Sequence, residues 1–182
     1  MKKTGKAIIF FILIAVVQWA VMGKMIYDQT DIRKSGKAFL FEIQPIDPVD
    51  PFRGNYIILS FKENTIAKKD TMEIWRNGDK IYLALEKGED NMTKITEYSA
   101  TKYSNDQDYL QAKVDFTTLD GALRIRYPFN RFYLDEERAL RAEGNFFNRS
   151  DTSETPSYAV VYIHKGNASV ADVMVEGASV LE

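Results

Sequence analysis

At 182 residues the chain has room for one ordinary domain and an appendage. Its 45% hydrophobic content excludes a disordered chain, and the absence of cysteine excludes a disulfide framework or a thiolate metal site. The net charge of −2 is unevenly placed: Lys2, Lys3, Lys6 and Lys24 are the only charges before Asp28, so residues 25–182 hold 20 basic against 26 acidic residues, a net −6 that argues against nucleic acid as a partner.

The first element is apolar. Ala7 to Gly23 reads AIIFFILIAVVQWAVMG, without a charge. Residues 7–27 make about 21 positions, roughly 31 Å of helix at 1.5 Å per residue. That length matches a hydrocarbon layer of about 30 Å. Lys24 can extend its amine to the headgroups, and Trp19 and Tyr27 suit an interface. The basic lead, residues 1–6, is expected to stay in the cytoplasm, with residues after about 28 exported. A cleaved signal peptide would have a shorter apolar run ending at small residues. Here the exit is Gln18-Trp19-Ala20-Val21-Met22-Gly23-Lys24, so a retained signal-anchor is the reading preferred. Gln18 is either a contact to another helix or one polar residue tolerated near the outer end. Residues 28–37, DQTDIRKSGK, read as a polar stalk or first turn.

From residue 38 the pattern is that of strands. Ala38–Ile43, Asn55–Phe61, Lys80–Leu85, Ala122–Tyr127, Ser157–His164 and Ser169–Val175 show period-two alternation or β-branched and aromatic enrichment. Lys94–Thr101 and Leu110–Phe116 are weaker candidates. His164 to Ala168 contains Gly166 and predicts a hairpin connection. Short helices are expected at Ile66–Ile74 and at Asp135–Glu143, where acidic residues open the segment and Gly144 follows it. Asn148–Pro156 is polar and reads as a loop. Residues 38–182 are therefore expected to form a β-dominated α+β domain, mostly antiparallel, behind a single N-terminal transmembrane helix.

One segment is distinctive. Pro45 to Phe61 reads PIDPVDPFRGNYIILSF. Pro48 and Pro51 force an extended or turning lead, and Gly54 permits a backbone approach other residues resist. In the strand that follows, Tyr56, Ile58 and Ser60 share one face and Ile57, Leu59 and Phe61 the other. Apolar residues on both faces predict a central, buried strand. Arg53-Gly54-Asn55-Tyr56 through Leu59 and Phe61 resembles the Gly-Asp-Tyr-x-x-Leu-x-Tyr signature of the GDYXXLXY family. Gly54, Tyr56 and Leu59 match it, while Asn55 stands for the Asp and Phe61 for the last Tyr. A later Ile81-Tyr82-Leu83 strand extends the likeness. So does an Arg131-Phe132-Tyr133-Leu134-Asp135-Glu136 element with Glu143 beyond it. The resemblance implies a membrane-anchored protein of unestablished activity that accompanies a polytopic membrane protein. Asn55 cannot act as a carboxylate, so a turn or capping role, which Asn and Asp share, suits that position.

No catalytic constellation is legible. Arg53 would either clamp an anion or pair with Asp47 or Asp50. Glu136 and Glu143 would share a helix face, as an acid–base pair or as solvated charge. His164 is the only histidine, and no Gly-x-Ser-x-Gly accompanies it. Ser60 with Lys62, or Ser35 with Lys37, has the spacing of a Ser–Lys dyad and nothing else to recommend it. No metal site and no cofactor are expected. Tyr98, Tyr103, Tyr109, Phe146 and Phe147 serve either a recognition surface or the core. The reading is a membrane-anchored accessory or interaction module whose partners are the bilayer and a polytopic membrane protein. Its rival is an exported hydrolase or ligand-binding domain with a pocket near Arg53.

Overall fold

The computed structural model describes residues 2–44, 56–67, 74–104, 107–134, 156–175 and 177–181. Helix α1 spans Lys2–Ser35. Its apolar stretch from Ile8 to Tyr27 leaves nearly every large side chain exposed, as an element built for an apolar solvent must. The helix is long and apolar enough to cross a membrane. It does not stop at the polar segment expected as a stalk. A helix already nucleated adds residues cheaply, and side chains support the added turns. Lys24 Nζ lies 2.6 Å from the Asp28 carboxylate. The Thr30 hydroxyl donates to the Ile26 carbonyl at 2.8 Å. Arg33 and Lys34 sit in the last turn, where positive charge suits the helix dipole.

The eleven strands fall into two larger sheets and a two-stranded ribbon. β1 (Lys37–Glu42) pairs with β9 (Tyr158–His164), which pairs with β10 (Asn167–Val175), which pairs with β11 (Ala178–Ser179). A five-stranded sheet has the order β3 (Thr65–Ile66), β7 (Leu123–Arg126), β6 (Tyr109–Thr117), β4 (Lys80–Lys87), β5 (Thr93–Ser99). A two-stranded ribbon joins β2 (Tyr56–Ile58) to β8 (Arg131–Tyr133). All ladders between these strands are antiparallel. The β-dominated, mostly antiparallel class expected from the alternation is the one observed.

The sheets share one core. Phe39 and Phe41 of β1 and Ala159, Val161 and Ile163 of β9 point inward, at period two. Leu83, Leu110 and Val114 meet them from the larger sheet. β4 is buried on both faces from Ile81 to Leu85, so the strand covered on both sides is this one. It is not the Tyr56 strand, for which that place was expected. β2 has three residues, and the chain then changes partner. Leu59 N donates to the Asn130 carbonyl at 2.9 Å, Gln44 N to Ser60 at 2.8 Å, and Lys62 N to Glu42 at 3.0 Å. A segment that passes from β8 to β1 cannot sit in the middle of one sheet.

The expected helix over 66–74 is also corrected at both ends. Ile66 lies in β3 opposite Leu123, and Ile74 is non-helical and exposed. Ile66 gains more by packing on the core than on a helix face. The helix expected at 135–143 and the polar loop at 148–156 fall outside the described residues, except for Pro156.

Below β1 lies an aromatic knot. Phe41, Phe61, Tyr127 and Phe129 pack with ring centroids 5.0–5.9 Å apart. The Tyr127 hydroxyl donates to the Glu63 carbonyl. Burial, with the Glu63 charge adding to it, pushes the Tyr127 phenol well above its ordinary range. The folded state thus keeps a proton that the unfolded state releases near pH 10. Stability from this group is full below that pH and falls as pH rises past it. Urea unfolding at pH 9 and pH 11 is expected to show a steeper alkaline loss for the parent chain than for Tyr127→Phe. Equal losses would mean that Tyr127 titrates normally.

Candidate functional site at the helix exit

The end of α1 is fastened to the domain on three sides. Ile32 is buried, the only large apolar residue of the polar segment. Arg33 reaches across, its Nε donating to Ser169 Oγ at 3.3 Å and its Nη2 to the Val170 carbonyl at 3.2 Å. Gly36 N closes the helix on the Ile32 carbonyl at 2.9 Å. A Cβ at Gly36 would stand 2.3 Å from the Ile32 oxygen and 2.9 Å from that of Ile163. Only glycine lets helix, turn and β9 meet so closely. One residue later β1 begins, with Lys37 opposite Ile163.

Beside this joint a cleft of about 590 Å³ opens between the helix and the β9–β10 turn. Lys24, Asp28 and Asp31 line it from the helix, and Pro128, His164 and Lys165 from the domain. His164 Nε2 is 3.9 Å from the Asp31 carboxylate, which also accepts from the Ser35 hydroxyl at 3.2 Å. The turn holds Lys165 at φ 49° and Gly166 at φ 82°. Two positive φ values between paired His164 and Asn167 make a two-residue turn of the type I′ kind. Its position is fixed from below, because Gln111 N donates to the Gly166 carbonyl at 2.9 Å. Sequence reasoning found this hairpin but missed the cleft. Nothing in the pattern of residues 24–32 says that a turn more than 130 positions away lies against them.

The residues singled out from the sequence divide. Arg53, Gly54, Asn55, Glu136 and Glu143 lie outside the described residues. Tyr56 pairs with Tyr133, and Ile58 with Arg131, in the ribbon. The two halves of the family-like pattern, more than 70 positions apart in the chain, are therefore neighbours in one ladder. Phe132 is buried, and Ile58, Arg131 and Tyr133 are exposed on the other side. Leu59 and Phe61 are core residues. Of the tyrosines offered as a recognition surface, Tyr98 and Tyr109 are buried and belong to the packing. Tyr103 is half-buried at 6.2 Å from the Tyr109 ring, and burial first, then Glu97, raises its phenol. Phe146 and Phe147 lie outside the described residues.

The Ser–Lys spacings assemble no dyad. Lys62 is committed to Glu42 at 3.1 Å, Lys37 to Asp108 at 2.8 Å, and Ser35 to Asp31. Among the described residues no group of three or more His, Cys, Asp or Glu is placed to hold a metal ion. A family model described as GDYXXLXY protein matches residues 18–173. No curated protein and no solved structure matches.

Proposed function

We propose, from the premise that this chain belongs to the GDYXXLXY protein family, that it is a single-pass membrane accessory module. Its N-terminus faces the cytoplasm, and its β-rich domain stands outside, against a polytopic membrane protein. The observation that carries this reading is the unbroken run of α1 from an exposed apolar length into the fastened joint at Ile32, Arg33 and Gly36. A mere tether needs only a flexible stalk. A joint of this kind fixes the bearing of the domain relative to the membrane helix, which matters when both must touch one partner. Lys2, Lys3 and Lys6 support the orientation. Ile58, Arg131 and Tyr133, exposed on the ribbon, are residue types that suit a contact surface.

Affinity purification of the tagged full chain from solubilised membranes is expected to recover a polytopic membrane protein. Replacing residues 7–23 with an unrelated apolar helix is expected to lose that protein while the domain stays folded. The reading fails if no membrane protein co-purifies, or if the exchanged helix captures the same partner equally well.

A further inference from the structure

The cleft at the helix exit has a charge pattern that the anchoring role does not need. Lys24 is paired with Asp28. Asp31, which accepts from Ser35 and lies 3.9 Å from His164, is the acid across the gap from Lys165, and Lys165 has no ion pair among the described residues. The turn position of Lys165 also favours other residues. A type I′ turn prefers Asn, Asp or Gly where φ is positive, and Lys there is strained. Such an outlier is a pointer to function when something in the surroundings uses the side chain.

Height fixes what surrounds it. The membrane-spanning stretch ends at Tyr27, and Asp31 lies four residues later, about 6 Å along the axis. The headgroup layer on one side of a bilayer is roughly 5–8 Å thick. Asp31 therefore lies within that layer, with Asp28 at its inner edge and Ile32 near its outer edge. Its volume, about 590 Å³, is in the range of small-ligand sites. A ligand with one anion and one hydrogen-bonding cation matches this facing base and acid.

We propose that this cleft holds the headgroup of an amine-bearing zwitterionic phospholipid. The phosphate lies at Lys165, and the primary ammonium donates to Asp31. Both contacts are charge-assisted hydrogen bonds. A quaternary amine has no N–H to give Asp31, and a glycerol headgroup has no cation, so both are poorer occupants. The assignment rests on the anchoring reading above, because only a spanning helix sets the cleft at headgroup height.

Native mass spectrometry of the full chain from micelles containing equal phosphatidylethanolamine, phosphatidylcholine and phosphatidylglycerol tests it. Phosphatidylethanolamine is expected to be retained about fivefold over either rival, the order set by one or two charge-assisted contacts. Lys165→Asn and Asp31→Asn are each expected to bring the ratio near one. Lys165→Asn suits the turn better than lysine, so its effect is not one of unfolding. Lys94→Glu, on β5 outside the cleft, leaves the ratio unchanged. Equal retention of the three lipids by the parent chain overturns the proposal, as does an unchanged ratio in both cleft variants. Full displacement by soluble phosphoethanolamine overturns the lipid as the source. Flotation with liposomes separates the two readings. A chain that fails to float removes the anchor, and one that floats without headgroup preference removes only the cleft assignment.

Discussion

Gly36→Ala is expected to destabilise the chain by about 1–3 kcal/mol, the range for forcing atoms into a filled site. The added Cβ meets backbone oxygens of Ile32 and Ile163, at 2.3 and 2.9 Å, not the far end of a flexible side chain. Neither oxygen can retreat alone. The Ile32 carbonyl accepts the closing bond of the helix, and Ile163 stands opposite Lys37 in the β1–β9 ladder. The substitution must therefore either open the last turn of α1 or pull β1 from β9. Urea unfolding of the detergent-solubilised full chain reads the loss, and hydrogen exchange over residues 32–40 locates it. Gly23→Ala is the matched control. Nothing lies within 4 Å of a Cβ there, so alanine is expected to leave stability unchanged or raise it slightly. Equal behaviour of the two variants would mean that the joint is loose.

Phe61→Ala is expected to cost about 3–5 kcal/mol, as removal of a buried aromatic ring does. Phe61 is 3% exposed, and its ring meets those of Phe41, Tyr127 and Phe129 edge-on at 5.9, 5.0 and 5.4 Å. Deleting it opens a cavity at the centre of the aromatic knot and strips partners from three other rings. Lys62→Ala, next in the chain, removes only an exposed ion pair with Glu42 and is expected to cost ~1 kcal/mol or less. Unfolding midpoints in urea compare them directly. A small effect of Phe61→Ala would place the weight of this segment on a surface task and not on packing.

The family signature thus reads partly as architecture. Leu59 and Phe61 fill the core, and Tyr56 pairs in register with Tyr133. The alternation of residues 55–61 revealed that two faces would be used. It did not reveal that the chain would exchange β8 for β1 after Ile58, because periodicity records which side chains turn inward and not which strand lies alongside. Lys80–Leu85 shows the opposite case. Its alternation suggested one buried face, yet Tyr82 and Ala84 are buried too, covered on the side away from the core cluster's Ile81, Leu83 and Leu85. Tyr82 meets Tyr109 at 6.0 Å, a contact between β4 and β6 that no local pattern encodes.

The N-terminal helix was legible because hydropathy and length are properties of one segment. Its continuation through Asp28–Ser35 was not, since Ile32 is the lone large apolar residue there and sets no period. The Lys24–Asp28 pair hints at it, being four apart with opposite charge, though such pairs contribute only tenths of a kcal/mol. What decides the matter is tertiary: Ile32 and Arg33 find their partners on β9 and β10 only if the backbone arrives helical. The cleft at the exit is hidden from the sequence for the same reason. Lys24, Asp31 and Lys165 carry no shared motif and meet through topology alone.

The unbroken helix also makes residue count a geometric dial. Each residue of an α-helix turns the chain by about 100° and advances it by about 1.5 Å. With the joint at Gly36 fastened, the number of residues between Gly23 and that joint sets both the height of the domain and its compass heading around the helix axis. One inserted residue would swing the whole β domain by about 100° while lifting it by about 1.5 Å. Seven would lift it by about 10 Å and return it to within roughly 20° of its first heading. Height and heading can therefore be varied almost independently by choosing how many residues to add.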